Sequence, residues 1–88
     1  MAWTVEFDER ARKDLRRLDA IVQKSILRYL RQRLAIAADP RRLGKPLHGE
    51  FAGLWRYRVG DWRLVCRIED KKLIVLVLTI GHRREIYR

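Results

Sequence analysis

Four arginines stand at alternating positions in the second half of the chain, Arg56 and Arg58 before a Gly60-Asp61 pair and Arg63 and Arg67 after it. A guanidinium keeps its proton at any accessible pH and presents a planar fork of donors that suits phosphate oxygens. Such a set can hold a polyanion or stabilise charge that develops on one. It cannot remove a proton. A second polar cluster, His82, Arg83, Arg84 and Tyr87, closes the chain directly after an apolar run. His82 brings an imidazole whose ordinary pKa lies near neutrality, and Tyr87 brings a hydroxyl and an aromatic face.

Other site chemistries lack their residues. Cys66 is the one cysteine, and His48 and His82 are the two histidines, so no metal-ligand spacing exists and no cofactor is called for. Neither a P-loop nor a dinucleotide-binding glycine motif is present. Ser25 is the only serine and falls inside a helical pattern, which makes a serine nucleophile a poor expectation.

Twenty-one Lys and Arg against eleven Asp and Glu give a formal charge of +10 over 88 residues. That charge attracts nucleic acid or an acidic protein. A chain of this length buries roughly 60% of its unfolded surface, enough for one modest core and one domain over residues 1–88. A lone cysteine and an acidic N-terminal stretch point to the cytoplasm. The longest apolar run, Leu73 to Ile80, is far short of the ~20 residues that span a bilayer.

Trp3, Val5 and Phe7 alternate with polar residues as a short strand. Asp8 is placed to cap a helix whose apolar positions are Ala11, Leu15 and Leu18. Asp19 can cap a second helix with the stripe Val22, Ile26, Tyr29, Leu30, Leu34 and Ala37, ending before Asp39-Pro40. Both prolines and three of the five glycines fall between Asp39 and Gly53, which predicts a loop. Three strands follow, separated by Gly60-Asp61 and by Glu69 to Lys72. The chain is thus predicted to be α+β: a strand, an αα-hairpin and an antiparallel β-meander.

A two-residue turn at Gly60-Asp61 sets Val59 opposite Trp62, Arg58 opposite Arg63 and Arg56 opposite Val65. Trp55, Tyr57, Val59, Trp62, Leu64, Cys66 and Ile68 then share a core face, and Arg56, Arg58, Arg63 and Arg67 share the other. Like charges directly opposite on paired strands destabilise a sheet. Mixed Lys and Glu would serve solvation better than an all-arginine face, so this face is predicted to meet a polyanion, RNA above all.

The sequence resembles the RelE/ParE superfamily of bacterial and archaeal toxins, and its RelE branch in particular. The resemblance rests on Phe7-Asp8-Glu9-Arg10-Ala11, on Lys45-Pro46-Leu47-His48-Gly49, on the stretch from Leu54 to Val65, and on Gly81-His82-Arg83-Arg84-Glu85-Ile86-Tyr87. It implies helices on one face of a four-stranded sheet. It further implies a toxin that enters the ribosomal A site, cleaves mRNA against ribosomal RNA, and is held inactive by a wrapping antitoxin, here expected to be acidic and extended. By matching position, Arg56 and Arg58 take the family's basic places on the first meander strand, Arg63 that of the next strand, Arg83 that after the last strand, and Tyr87 the terminal tyrosine. The resemblance therefore implies catalysis by Arg58, Arg63, Arg83 and Tyr87 and RNA binding by Arg56 and Arg58, to which the residues themselves add His82 as a second candidate for proton transfer and Arg67 and Arg84 as further RNA-binding cations. Arginine stands where well-known members carry lysine, so a lysine's general-base role does not transfer. The chain stops one residue after Tyr87, without the C-terminal helix of some relatives, and the apolar face Ile74, Leu76, Leu78 and Ile80 is expected to await the antitoxin. A ParE-like toxin that binds DNA gyrase without cutting RNA is the alternative, and a non-catalytic basic binding module is a third reading.

Overall fold

A computed structural model describes residues 2–84. Strand β1 (Thr4–Phe7) leads into helices α1 (Glu9–Arg16) and α2 (Ala20–Tyr29), and α2 continues as a π-helical turn over Leu30–Leu34. Asp8 and Asp19 cap the two helices, their carboxylates accepting from the Arg10 and Val22 amides at 3.3 and 3.0 Å. A 3-10 turn (Pro40–Leu43) precedes the two-residue strand β2 (Lys45–Pro46), and β3 (Trp55–Val59), β4 (Trp62–Glu69) and β5 (Ile74–His82) follow. The sheet has five strands in the order β1-β5-β4-β3-β2, with β1 parallel to β5 and the other pairs antiparallel. The expected four-stranded sheet therefore gains a fifth member, because Lys45 and Pro46, predicted as loop, pair with Arg56 and Trp55. Proline suits this place, since an edge strand leaves one row of donors unused.

Both helices cover one face. Ala11, Ile26, Leu30 and Leu34 are buried there against Tyr57, Leu64, Cys66, Val75, Val77 and Ile80. The hairpin register is the expected one, Val59 opposite Trp62 and Arg58 opposite Arg63. Gly60 has φ +60°, and among the described residues Leu73 is the one non-glycine with positive φ, so Asp61 keeps a negative one. That combination defines the type II′ turn, in which glycine occupies the first central position.

β5 departs from simple alternation. Val65 pairs with Thr79 but Cys66 pairs with Val77, leaving Leu78 as the extra residue of a β-bulge. The bulge turns Ile80 onto the helix face, opposite Leu64, where it is buried. The apolar face expected from Ile74, Leu76, Leu78 and Ile80 is thus broken: Ile74 and Leu76 lie opposite Glu69 and Arg67, while Ile80 belongs to the core. Beyond Phe7, β1 no longer covers the edge of β5, and α1 takes its place. The Asp14 carboxylate accepts the Ile80 amide at 3.0 Å and the Thr79 hydroxyl at 3.2 Å. Among the described residues, no helix is long and apolar enough to cross a membrane.

Candidate functional site

The helix-free face of the sheet carries Arg56 and Arg58 from β3, Arg63 and Arg67 from β4, and Lys45 from β2. At its centre lies Val65, opposite Arg56 and between Arg63 and Arg67 on its own strand, buried although α1 and α2 both lie on the other face. Stems of long basic side chains cover apolar surface while their charged heads stay in water.

Arg63 is the hub. Its Nη1 donates to the Gly60 and Trp62 carbonyls at 3.1 and 3.3 Å, which holds the guanidinium against the base of the hairpin. Burial lowers its pKa from the ordinary guanidinium value, and the neighbouring cations Arg58, Arg56 and Arg83 lower it further, with Asp61 opposing. Four arginines thus converge where an anion would relieve their mutual repulsion. Arg56 Nε is buried without a hydrogen-bond partner among the described residues, so this guanidinium is held by packing.

Arg83 joins the cluster from β5 through the hairpin turn. Its amide donates to the Asp61 carbonyl at 2.9 Å, and its Nη1 lies 3.8 Å from the Asp61 carboxylate. Asp61 was foreseen only as a turn residue, yet it tethers the end of β5 to the β3–β4 hairpin. Both ends of this ion pair are more than half exposed, so its role is placement rather than stability.

The remaining candidates divide. Arg67 shares the face but stands four residues along β4 from Arg63, roughly 13 Å at the strand's rise. Arg84 is exposed in the turn after β5, its amide 3.4 Å from His82 Nδ1. His82 is not brought to the arginines. It pairs with Trp62, and the two rings meet edge to face at 5.5 Å on the helix side of the sheet, near Asp14, Arg17 and Leu18. Tyr87 lies outside the described residues. No cluster of His, Cys, Asp and Glu that could hold a metal ion occurs among the described residues.

Sequence reasoning missed two cations of this face, Arg42 and Lys45. With Leu43, Gly44, Arg56 and Arg58 they line a concavity of about 240 Å³. Their segment is fixed from several sides. The Tyr57 hydroxyl donates to the Pro40 carbonyl at 2.8 Å, and Asp39 accepts the Arg41 amide at 3.1 Å. Arg41 forms a two-pronged ion pair with Asp70 at 3.0 and 2.5 Å and lies 6.0 Å above the Trp55 ring. The available signal was the density of basic residues between Asp39 and Gly49, discounted there as loop.

A compact sheet backed by two helices on one side and bearing an arginine cluster on the other matches known proteins over nearly its whole length. The family model described as "ParE toxin of type II toxin-antitoxin system, parDE" matches residues 5–87. The chain belongs to this family and is a RelE-like toxin of the RelE/ParE superfamily of type II toxin-antitoxin systems. Among its relatives it is similar to the toxin RelG of Mycobacterium tuberculosis, 38% identical over 88 residues and covering 100% of this chain and 99% of that one. It is also similar to the mRNA interferase toxin RelE of Escherichia coli, 31% identical over 99% of this chain and 92% of that one. In structure it resembles a chain of the RelBE2 toxin-antitoxin complex from M. tuberculosis, with a TM-score of 0.86 and 35% identity over 94% of this chain and 100% of that chain.

Proposed function

We propose that this toxin inhibits translation by cutting mRNA in the ribosomal A site, as a metal-independent endoribonuclease. The observation that carries the reading is the grouping of Arg56, Arg58 and Arg63 on one face of the β3–β4 hairpin, with Arg83 tied to Asp61 at its turn. It is supported by the likeness to a relative named an mRNA interferase. In the proposed reaction the 2′-oxygen of one nucleotide attacks the adjacent phosphorus, the new O–P bond forms as the bond to the 5′-oxygen breaks, and the 2′-proton is exchanged for one delivered to that oxygen. Arg58, Arg63 and Arg83 stabilise the additional negative charge on the phosphoryl oxygens. Arg56, Arg67 and Arg84 hold the flanking RNA backbone.

Proton transfer falls to Tyr87 or to groups of the ribosome, and Tyr87 also offers a ring for base stacking. His82, turned against Trp62 on the opposite side of the sheet, serves to seat the end of β5. An acidic, extended antitoxin is the partner that would silence the arginine face, in keeping with the likeness to the toxin-antitoxin complex.

The test is translation in a cell-free extract with the message mapped by primer extension and its ends analysed. Cuts that need ribosomes and leave 5′-hydroxyl ends are expected; 5′-phosphate ends would make water the nucleophile and overturn the mechanism. The name of the matching family model supports one other reading, a ParE-like toxin directed at gyrase. Relaxed or cleaved plasmid with an intact message would establish it in place of the first.

A further inference from the structure

We propose that Arg42 and Lys45, together with Arg56, form a second phosphate subsite that grips the RNA backbone away from the cut, on the side remote from Arg83, with Arg58 standing between it and the scissile phosphate. The inference rests on the nuclease reading and extends it to how the substrate lies. Lys45 stands directly opposite Arg56 in the β2–β3 register, a second like-charge pair beside the Arg58–Arg63 pair. Neither Arg42, Lys45, Arg56 nor Arg58 forms an ion pair among the described residues. These four cations line one concavity, and a solvated surface gains nothing from gathering them.

The notch is built rather than incidental. Gly44 lies so close to β3 that a Cβ there would meet the Arg56 carbonyl and the Tyr57 ring at 2.8 Å. The glycine lets the segment between Arg42 and Lys45 press onto the strand that carries Arg56 and Arg58. The Tyr57–Pro40 hydrogen bond and the Arg41–Asp70 pair then hold it there. A backbone already held in place adds little ordering cost of its own when an anion arrives.

Its position gives the direction of the RNA. Arg83 follows the end of β5 level with Asp61, Arg63 stands on β4, Arg58 and Arg56 on β3, and Lys45 on β2 level with Val65, with Arg42 in the turn just before it, so that in the strand order β5-β4-β3-β2 the cations run in a diagonal strip across the strands. Three strand spacings across and the four-residue offset along them make that strip roughly 20 Å long. Even in a duplex each nucleic acid strand carries a charge every ~3.4 Å, so the strip exceeds what one phosphate occupies. RNA accordingly crosses the strands, with the scissile phosphate at Arg63 and Arg83 and a neighbouring phosphate in the notch.

The experiment compares the wild-type chain with a double variant, Arg42→Gln with Lys45→Gln, on ribosomes programmed with a defined message. A panel of messages carries a single neutral methylphosphonate at successive positions on either side of the cut. The double variant is expected to raise KM roughly 10- to 100-fold, the range for lost charged hydrogen bonds, with kcat unchanged. One methylphosphonate position should reproduce that loss in the wild type and add nothing in the double variant. An unchanged KM, or methylphosphonates that harm both proteins equally, would overturn the subsite while leaving the nuclease reading intact. A wild-type chain that cuts no message would overturn both. Unchanged cleavage with weakened antitoxin binding would assign the notch to an acidic protein segment instead.

Discussion

The two faces of the sheet share strands β3 and β4, yet they answer to opposite demands. On the helix side, Tyr57, Leu64, Cys66, Val75, Val77 and Ile80 are buried, and burial pushes the Tyr57 and Cys66 pKa values up, so both stay neutral. On the other side like charges face each other at Arg58–Arg63 and Arg56–Lys45. One face makes the fold stable and the other spends some of that stability on a cationic surface. Because side chains alternate along a strand, adjacent residues on β4 should report on different properties.

Arg63 and Leu64 give the sharpest form of this contrast and the largest effects. Arg63→Ala should lower the rate of mRNA cleavage about 10²- to 10³-fold, the usual loss for one preorganised donor, and leave the melting temperature equal or higher. Leu64→Ala should cost about 2–5 kcal/mol of stability, measured by denaturant unfolding, with cleavage retained by the molecules that remain folded. Arg83→Ala should follow Arg63. If Arg63→Ala destabilised the chain as much as Leu64→Ala, the division of labour between the faces would be wrong.

Much of this division was legible in the residues. Gly60 in the first central position specified a two-residue type II′ turn, and the turn fixed which of Arg56, Arg58 and Arg63 share a face. The bulge at Leu78 was not legible, because Leu73 to Leu78 is uniformly aliphatic and carries no alternation to betray a change of parity. That uniformity is why Ile80, expected on the face opposite the helices, lies in the core instead. Lys45 and Pro46 were hidden by their neighbours: prolines and glycines on both sides read as loop, and two residues show no period. The Asp14 contact joins residues 65 and 66 positions apart, beyond the reach of any local pattern.

His82 tests the boundary between the faces at a smaller scale. Its edge-to-face contact with Trp62 belongs to the stabilising side, and aromatic pairs contribute about 0.5–1.5 kcal/mol beyond their buried area. His82→Ala should therefore lower stability by about that amount and leave the pH profile of cleavage unchanged. A profile that lost a limb near neutrality would return His82 to proton transfer.

Asp14 probes the same boundary from the helix side. Replacing it by Ala leaves the part-buried Ile80 amide without its acceptor, a loss of about 1–3 kcal/mol. Hydrogen exchange should quicken at Ile80 and at the Arg83 amide, which is bonded to the Asp61 carbonyl. Faster exchange at Ile80 alone would show that the bulge and the arginine cluster are independent.

The smallest effect should come from the Arg41–Asp70 pair, which stands outside both faces and steadies the segment before β2. The hydrogen bond from Arg41 holds the Asp70 carboxyl below its ordinary value, and the guanidinium charge adds to this. A carboxyl whose folded pKa lies below its unfolded one contributes stability above the unfolded value of about 3.9, and that contribution is lost as pH falls through the folded value. Wild type should therefore melt slightly above Asp70→Asn at pH 7, with the gap closing only below pH about 4. Because Asp70 is solvent-exposed and Arg41 only half-buried, 1 M salt should shrink the gap at neutral pH as well. A difference that persisted unchanged at low pH and high salt would mean that the aspartate acts through packing, and that Arg41 is held by the Trp55 ring and Asp39 rather than by the charge of Asp70.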